Sequence, residues 1–162
     1  MPDGPLAYFI TIRSYGSWLH GDERGSMDPE HNAYQSPPLA PDAELKNIRA
    51  SRLKQAPLTF SAPQRAAIKR GIERTCEHRG WNIIGLNVRT NHVHVLVEAP
   101  ETPERVMNVI KSWATREMVA RNALPRGVKA WSRHGSTKYL WTDEQVTLAY
   151  DYVVHGQGDP LA

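Results

Sequence analysis

Residues 6–13, LAYFITIR, are a run of β-branched and aromatic side chains and predict a strand. From 14 to 57 no apolar period is sustained. Glycines at 16, 21 and 25 and prolines at 29, 37, 38, 41 and 57 interrupt the stretch, which predicts a long loop with a short helix near DAELKNIRASRL at 42–53. A loop of this length inside a compact domain is often functional. Periodicity returns at 61–79. Ile68 and Ile72 stand at i, i+4 beside the small Ala67 and Gly71. Ser61 and Gln64 have capping-box spacing, Pro63 fits the first turn, and Gly80 closes the helix. WNIIGLNVR at 81–89 and HVHVLVEA at 92–99 read as strands joined by Thr90–Asn91, a hairpin. Thr102 caps a second helix with Pro103 at its first position, and Val106, Val109, Ile110, Trp113 and Glu117 trace one stripe along it. Pro125 and Gly127 break that pattern. VKAW (128–131) and TKYLW (137–141) are short strand candidates. Thr142 and Gln145 repeat the capping spacing at the head of a last helix, about 143–155, stopped by Gly156, Gly158 and Pro160.

The order β, long loop, α, β, β, α, β, α contains no regular βαβ repeat. It predicts one α+β domain over 1–162, with an antiparallel sheet, helices packed on one face and a loop insertion at about 14–57. The totals add little: 40% hydrophobic and 23% charged residues are ordinary for a globular chain. The net charge of +3 permits a nucleic-acid partner without arguing strongly for one. The positive charge is unevenly spread. Arg105, Lys111, Arg116, Arg121, Arg126, Lys129, Arg133 and Lys138 face only Glu104 and Glu117 within 104–138, a plausible footprint for phosphates or simply a solvated helix face and loop. Cys76 is the only cysteine, so no disulfide forms within the chain. No basic leader precedes LAYFITI, and no run approaches the roughly 20 apolar residues of a membrane helix. The expectation is a soluble protein of a reducing compartment, cytoplasmic and without a membrane partner.

The unusual feature is TNHVHVLVEA at 90–99. Alternate residues of a strand share a face, so His92 and His94 project together with Val93 opposite. Their Cα atoms lie about 6.5–7 Å apart, close enough for two rings to converge on one ion. Imidazole suits Mn, Zn, Fe and, with oxygen partners, Mg. From spacing alone the pair is either half of a metal site or two hydrogen-bonded histidines at a strand end. In the loop, His20 and Asp22 have the chemistry of metal ligands, but their glycine-rich context reads as ordinary loop polarity.

The last helix supplies possible company. Val146, Ala149, Tyr150 and Val153 form one stripe, which takes Tyr150 toward the core, and Leu148, Tyr152 and His155 form another. Tyr150 and Tyr152 are about 200° apart around the helix. If the second stripe faces the histidine strand, a phenol and a third ligand meet His92 and His94. A phenol beside a metal suggests nucleophilic catalysis, since a cation at the target phosphate takes up charge on a non-bridging oxygen. The plainer reading is an amphipathic-helix tyrosine with a packed ring and a wet hydroxyl.

NHVHVLV resembles the HUH motif of the small single-tyrosine transposases, both the minimal insertion-sequence transposases and the REP-associated tyrosine transposases. The downstream layout is similar too: Trp131 follows the second helix, and a capped helix carries the tyrosine of DYVV. The resemblance covers 6–13 and 60–155 and leaves out the loop. It implies a ferredoxin-like sheet with the histidines on a central strand and the tyrosine on the C-terminal helix. It also implies a divalent cation, Mg or Mn, no nucleotide cofactor, and cleavage and rejoining of single-stranded DNA next to hairpins through a 5′-phosphotyrosine. By position, His92 and His94 hold the metal and Tyr152 is the nucleophile. The family's third ligand is an amide one turn after the tyrosine. Here position 156 is glycine, so His155 is expected to ligate, with Gln157 as substitute if the helix unwinds at Gly156. The basic set from Arg105 to Lys138 is expected along the DNA, with Trp18, Tyr15 or Trp131 stacking on bases.

Two rivals remain at this level. One is a host-adopted hairpin-binding module that has lost cleavage, favoured by the missing amide. The other is a metal-dependent phosphoesterase acting on RNA or small phosphate esters with water as nucleophile. Relatives act as monomers or as dimers. The chain ends about ten residues after Tyr152, which leaves little for an arm embracing a partner.

Overall fold

The computed structural model describes residues 4–17, 55–158 and 161. Most of the expected loop, with Trp18, His20, Asp22 and the short helix at 42–53, lies outside the described residues. The elements run β1 (Ala7–Ser14), α1 (Ala62–Arg79), β2 (Asn82–Val88), β3 (His92–Glu98), α2 (Pro103–Ala120), β4 (Trp131–Leu140) and α3 (Asp143–His155).

The caps form as the spacing predicts. At α1, Ser61 Oγ accepts from the Gln64 N–H while Gln64 Oε1 accepts from the Ser61 N–H. Gly80 closes the helix in the left-handed region. Thr102 and Thr142 accept from Arg105 N and Gln145 N at the heads of α2 and α3. Gln145 Oε1 reaches one residue further back than a capping box would, to the Trp141 N–H at 2.7 Å.

One strand differs from expectation. VKAW and TKYLW do not form two short strands; 131–140 is a single strand. Its middle, SRHGS, carries no apolar alternation, so periodicity could not find it. Pairing with the buried β1 organises it instead, from Ala7↔Leu140 to Ile12↔Gly135, with a register shift before Ser14↔Trp131.

The sheet is antiparallel in the order β2–β3–β1–β4, the ferredoxin-like arrangement, with β3 and β1 inside. Tyr8, Ile10 and Ile12 of β1 and Val93, Val95 and Val97 of β3 face α1 and α2, where Ile68, Ile72, Val106, Ile110 and Met118 complete the main core. Burying each such side chain contributes about 1.5–3 kcal/mol. Gly71 lets α1 and α2 approach closely, since a Cβ there would lie 2.9 Å from the Trp113 carbonyl oxygen. The expectation of helices on one face holds for α1 and α2. The third helix, α3, covers the opposite face, packing Ala149 and Val153 on Ala7, Phe9, Leu96 and Leu140. The reason is in the inner strands: Ala7, Phe9 and Leu96 make one end of their second face apolar as well, and that end needs a cover. Among the described residues, no helix is long and apolar enough to cross a membrane.

Candidate active site

Strand parity puts His92 and His94 on the face that α3 covers, beside Leu96. Leu96 is buried under Ala149 and Val153, so α3 is clamped one pair further along β3, and Tyr152 comes down beside His94. The His92 and His94 ring centroids are 4.7 Å apart and those of His94 and Tyr152 are 5.4 Å apart. Phe9 touches both sides, 5.4 Å from His94 and 5.9 Å from Tyr152. On the edge strand, Asn87 lies opposite His94 and its Nδ2 donates to the Val153 carbonyl at 2.9 Å, tying the end of α3 to β2.

The two imidazoles are presented for ligation. His94 is 4% exposed. Burial, then the charges of His92, Arg13 and Lys138, pull its pKa down to about 3, so it is neutral at pH 7. Its Nδ1 lies 2.9 Å from Thr11 Oγ1, which as acceptor leaves Nε2 with a free lone pair. His92 Nδ1 is 2.7 Å from Asn91 Oδ1. An amide oxygen only accepts, so Nδ1 donates its hydrogen to Asn91. The other ring nitrogen, His92 Nε2, lies 3.2 Å from Gln157 Oε1, and the Gln157 amide nitrogen donates to the Tyr152 carbonyl at 3.1 Å. The Gln157 side chain also reaches His94. Two imidazoles and an amide oxygen, each held by an outer hydrogen bond, are a donor set that could hold a divalent metal ion. Among the described residues no group of three or more His, Cys, Asp or Glu could hold a metal.

The expected and substitute third ligands part company. His155 is exposed, and its ring pairs with Tyr150 at 6.2 Å. Gln157 is the one brought to the histidines. The cause is Gly156: α3 ends at His155, and the Gly156 N–H bonds the Tyr152 carbonyl at 3.1 Å. A Cβ at 156 would lie 2.8 Å from that same oxygen. Without one, the chain folds tightly under the last turn and returns Gln157 beneath Tyr152.

Of the stripe Leu148–Tyr152–His155, Tyr152 alone meets the histidine pair; it is 51% exposed, which leaves its hydroxyl accessible to a substrate. Val153 and Ala149 are buried as expected, whereas Tyr150 is exposed and borders Gly85 on the edge strand.

The expected basic footprint is only partly assembled. Lys138 lies opposite Phe9 on the α3 face, where burial and then Arg13 lower its pKa. The α2 cations belong to the other face of the sheet. There Arg105 pairs with Glu101 at 3.4 Å and Arg121 with Glu117 at 3.0 Å, Lys111 Nζ donates to the Ser132 carbonyl at 3.2 Å, and Arg116 is exposed. Arg126 and Lys129 follow α2 in the connection to β4, and Arg133 is an exposed residue of β4. Trp131 is no stacking platform: its Nε1 donates to Lys111 O and Thr115 Oγ1 and its ring packs on Phe60. Tyr15 is buried, and Trp18 is outside the described residues. Sequence reasoning missed Arg13, which stands opposite His92. Its signal was available: Arg13 shares parity with Phe9 and Thr11 on β1. It also missed Thr11 and Asn91, whose role depends on pairings that a single strand does not reveal.

Residues 52–147 match a family described as transposase, IS200 like. Among solved structures, the chain is similar to a REP-associated tyrosine transposase bound to a REP hairpin, at 13% identity and a TM-score of 0.49, over 93% of this chain and 65% of that one. It is also similar to a protein of Deinococcus radiodurans described as a candidate transposase, at 14% identity and a TM-score of 0.47, over 97% and 98% of the two chains. This chain thus spans 65% of the length of the hairpin-bound relative. No curated protein matches it.

Proposed function

Because this chain belongs to the IS200-like transposase family, we propose that it cleaves and rejoins single-stranded DNA next to hairpins, with Tyr152 as nucleophile and His92, His94 and Gln157 holding a divalent cation, Mg or Mn. The observation that carries this reading is the Tyr152 ring 5.4 Å from that of His94, with Gln157 hydrogen-bonded to the Tyr152 backbone while its oxygen faces His92 Nε2. The protein works in the cytoplasm, where single strands are exposed during replication.

Each residue has a task in this scheme. The two imidazoles and the Gln157 amide oxygen would hold the cation, which when bound would supply Lewis-acid stabilisation of charge at the scissile phosphate. Arg13 and Lys138 flank the same face and neutralise the DNA backbone. Tyr152 Oη attacks the phosphorus and the P–O3′ bond breaks. The phenolic proton passes through solvent to the departing 3′-oxygen. The products are a 5′-phosphotyrosine and a free 3′-OH. One phosphodiester replaces another, so a second 3′-OH reverses the step without a nucleotide cofactor. Gln157 beside His92 supports cleavage over a purely hairpin-binding role, which the missing amide at 156 would have favoured.

The test is incubation with Mn and end-labelled single strands spanning hairpins that flank the gene, followed by denaturing electrophoresis. A DNA adduct that Tyr152→Phe abolishes is expected. An adduct that survives this substitution removes Tyr152 from the role, and tight binding with no adduct for any hairpin returns the binding module.

A further inference from the structure

A cavity of about 460 Å³ opens at the free edge of β2, between the first turns of α1 and the end of α3. The volume is within the usual range of about 300–1,000 Å³ for ligand clefts. Ala62, Arg65, Ala66 and Lys69 of α1, at i, i+3, i+4 and i+7, form one wall, so small side chains make room between two cations. Arg89, at the end of β2, adds a third cation, and none of the described residues lining the cavity is acidic. Arg65 is steadied by Nη1 donating to the Phe60 carbonyl at 2.8 Å. Leu86, Val88 and Val154 supply apolar surface.

The geometry points to a second binding site: the cavity takes one nucleotide of the single strand that runs past Tyr152, the phosphate on Arg65, Lys69 and Arg89 and the base or sugar against Leu86, Val88 and Val154. Cations beside an apolar wall match a nucleotide better than a bare anion or an apolar ligand. Among the described residues β2 has a sheet partner on one side only, so its outer backbone adds hydrogen-bonding groups. Position argues the same way. Asn87 lines the cavity and lies opposite His94 in the sheet, while Gly158 lines it one residue after Gln157. A strand leaving the tyrosine has only the last turn of α3 to round before it meets the three cations. The inference rests on the DNA-cleaving reading above and extends it from the scissile phosphate to a neighbouring nucleotide.

The experiment titrates isotope-labelled Tyr152→Phe protein, which cannot be captured covalently, with an unstructured deoxyoligonucleotide while backbone amide shifts are followed. Shifts at Ala66, Lys69, Asn87–Arg89 and Gly158 are expected. In the same background, Lys69→Ala with Arg89→Ala weakens binding about tenfold and lowers the slope of log affinity against log salt by about 0.7 per cation removed. Arg70→Ala, the loss of one charge on α1 outside the cavity, has a much smaller effect per charge removed. Trimming the oligonucleotide on one side of the cleavage point weakens binding by the parent and leaves the double variant unaffected. Shifts confined to the His92–Tyr152 region, or a double variant that behaves like Arg70→Ala, overturn the cavity. Adduct formation by the unaltered chain, followed in parallel, separates the two readings: cavity shifts without any adduct count against the nucleophile, and an adduct without cavity shifts counts against the cavity.

Discussion

Gln157 and Tyr152 are joined through the backbone of one and the amide of the other: Gln157 Nε2 donates to the Tyr152 carbonyl at 3.1 Å while Gln157 Oε1 lies 3.2 Å from His92 Nε2. The side chain proposed to complete a cation site is therefore fixed to the residue proposed as nucleophile. Removing it by Gln157→Ala should lower Mn affinity by about 10–100-fold and slow adduct formation in parallel. Calorimetric titration with Mn measures the first effect. Unchanged Mn affinity would remove Gln157 from the ligand set, and a loss on His155→Ala instead would restore the ligand expected from helical spacing.

Gly156→Ala tests how Gln157 gets there. The added methyl would stand 2.8 Å from the Tyr152 carbonyl oxygen, so the last turn must open. A loss of about 1–3 kcal/mol is expected, in line with other overpacked sites. Mn affinity should fall with it, although the substituted residue touches no ligand atom. Chemical denaturation gives the first quantity. A variant with native metal affinity would show that the turn is not what delivers the amide.

Acid should weaken the metal-free fold through His94. Its pKa is lowered from the ordinary 6.5 to about 3, burial first. Between those values the unfolded chain binds a proton that the folded chain refuses, so stability rises with pH through this window. It is intact above pH 6.5 and declines as pH falls toward 3. His94→Asn should flatten this part of the stability profile, measured by urea denaturation in chelator. An equally steep profile in the variant would assign the acid sensitivity elsewhere.

The two faces of the sheet should differ in their response to charge removal. Arg13→Gln and Lys138→Gln, on the α3 face, should each weaken single-strand binding severalfold and reduce its salt dependence. Arg105→Ala and Arg121→Ala, which are paired with Glu101 and Glu117 on the other face, should change little. Fluorescence anisotropy across a salt series decides between them. Equal losses from both faces would extend the DNA path around the molecule.

Much of this was legible in the chain. The helices announced themselves through caps: Ser61, Thr102 and Thr142 each accept from the residue three positions on, a local relation that spacing alone specifies. The period of two in HVHVLV placed both imidazoles on one face. What stayed hidden was non-local. The middle of β4 is polar and becomes strand only by pairing with β1. Arg13 and Thr11 enter the site because β1 lies antiparallel to β3, a register no single segment encodes. Helical spacing favoured His155 because it assumes an α-turn that continues, whereas Gly156 ends it. The basic run at 105–121 looked continuous along the chain, but α2 carries it to the far side of the sheet.

α3 holds its face through a small apolar patch, Ala149 and Val153 on Ala7, Phe9, Leu96 and Leu140, whereas α1 and α2 share the larger core on the other side. On warming, the layer expected to loosen first is thus the one bearing Tyr152, while the larger core still holds the sheet. On the proposed reading such a protein is disarmed before it is denatured, and cooling re-arms it without refolding the sheet.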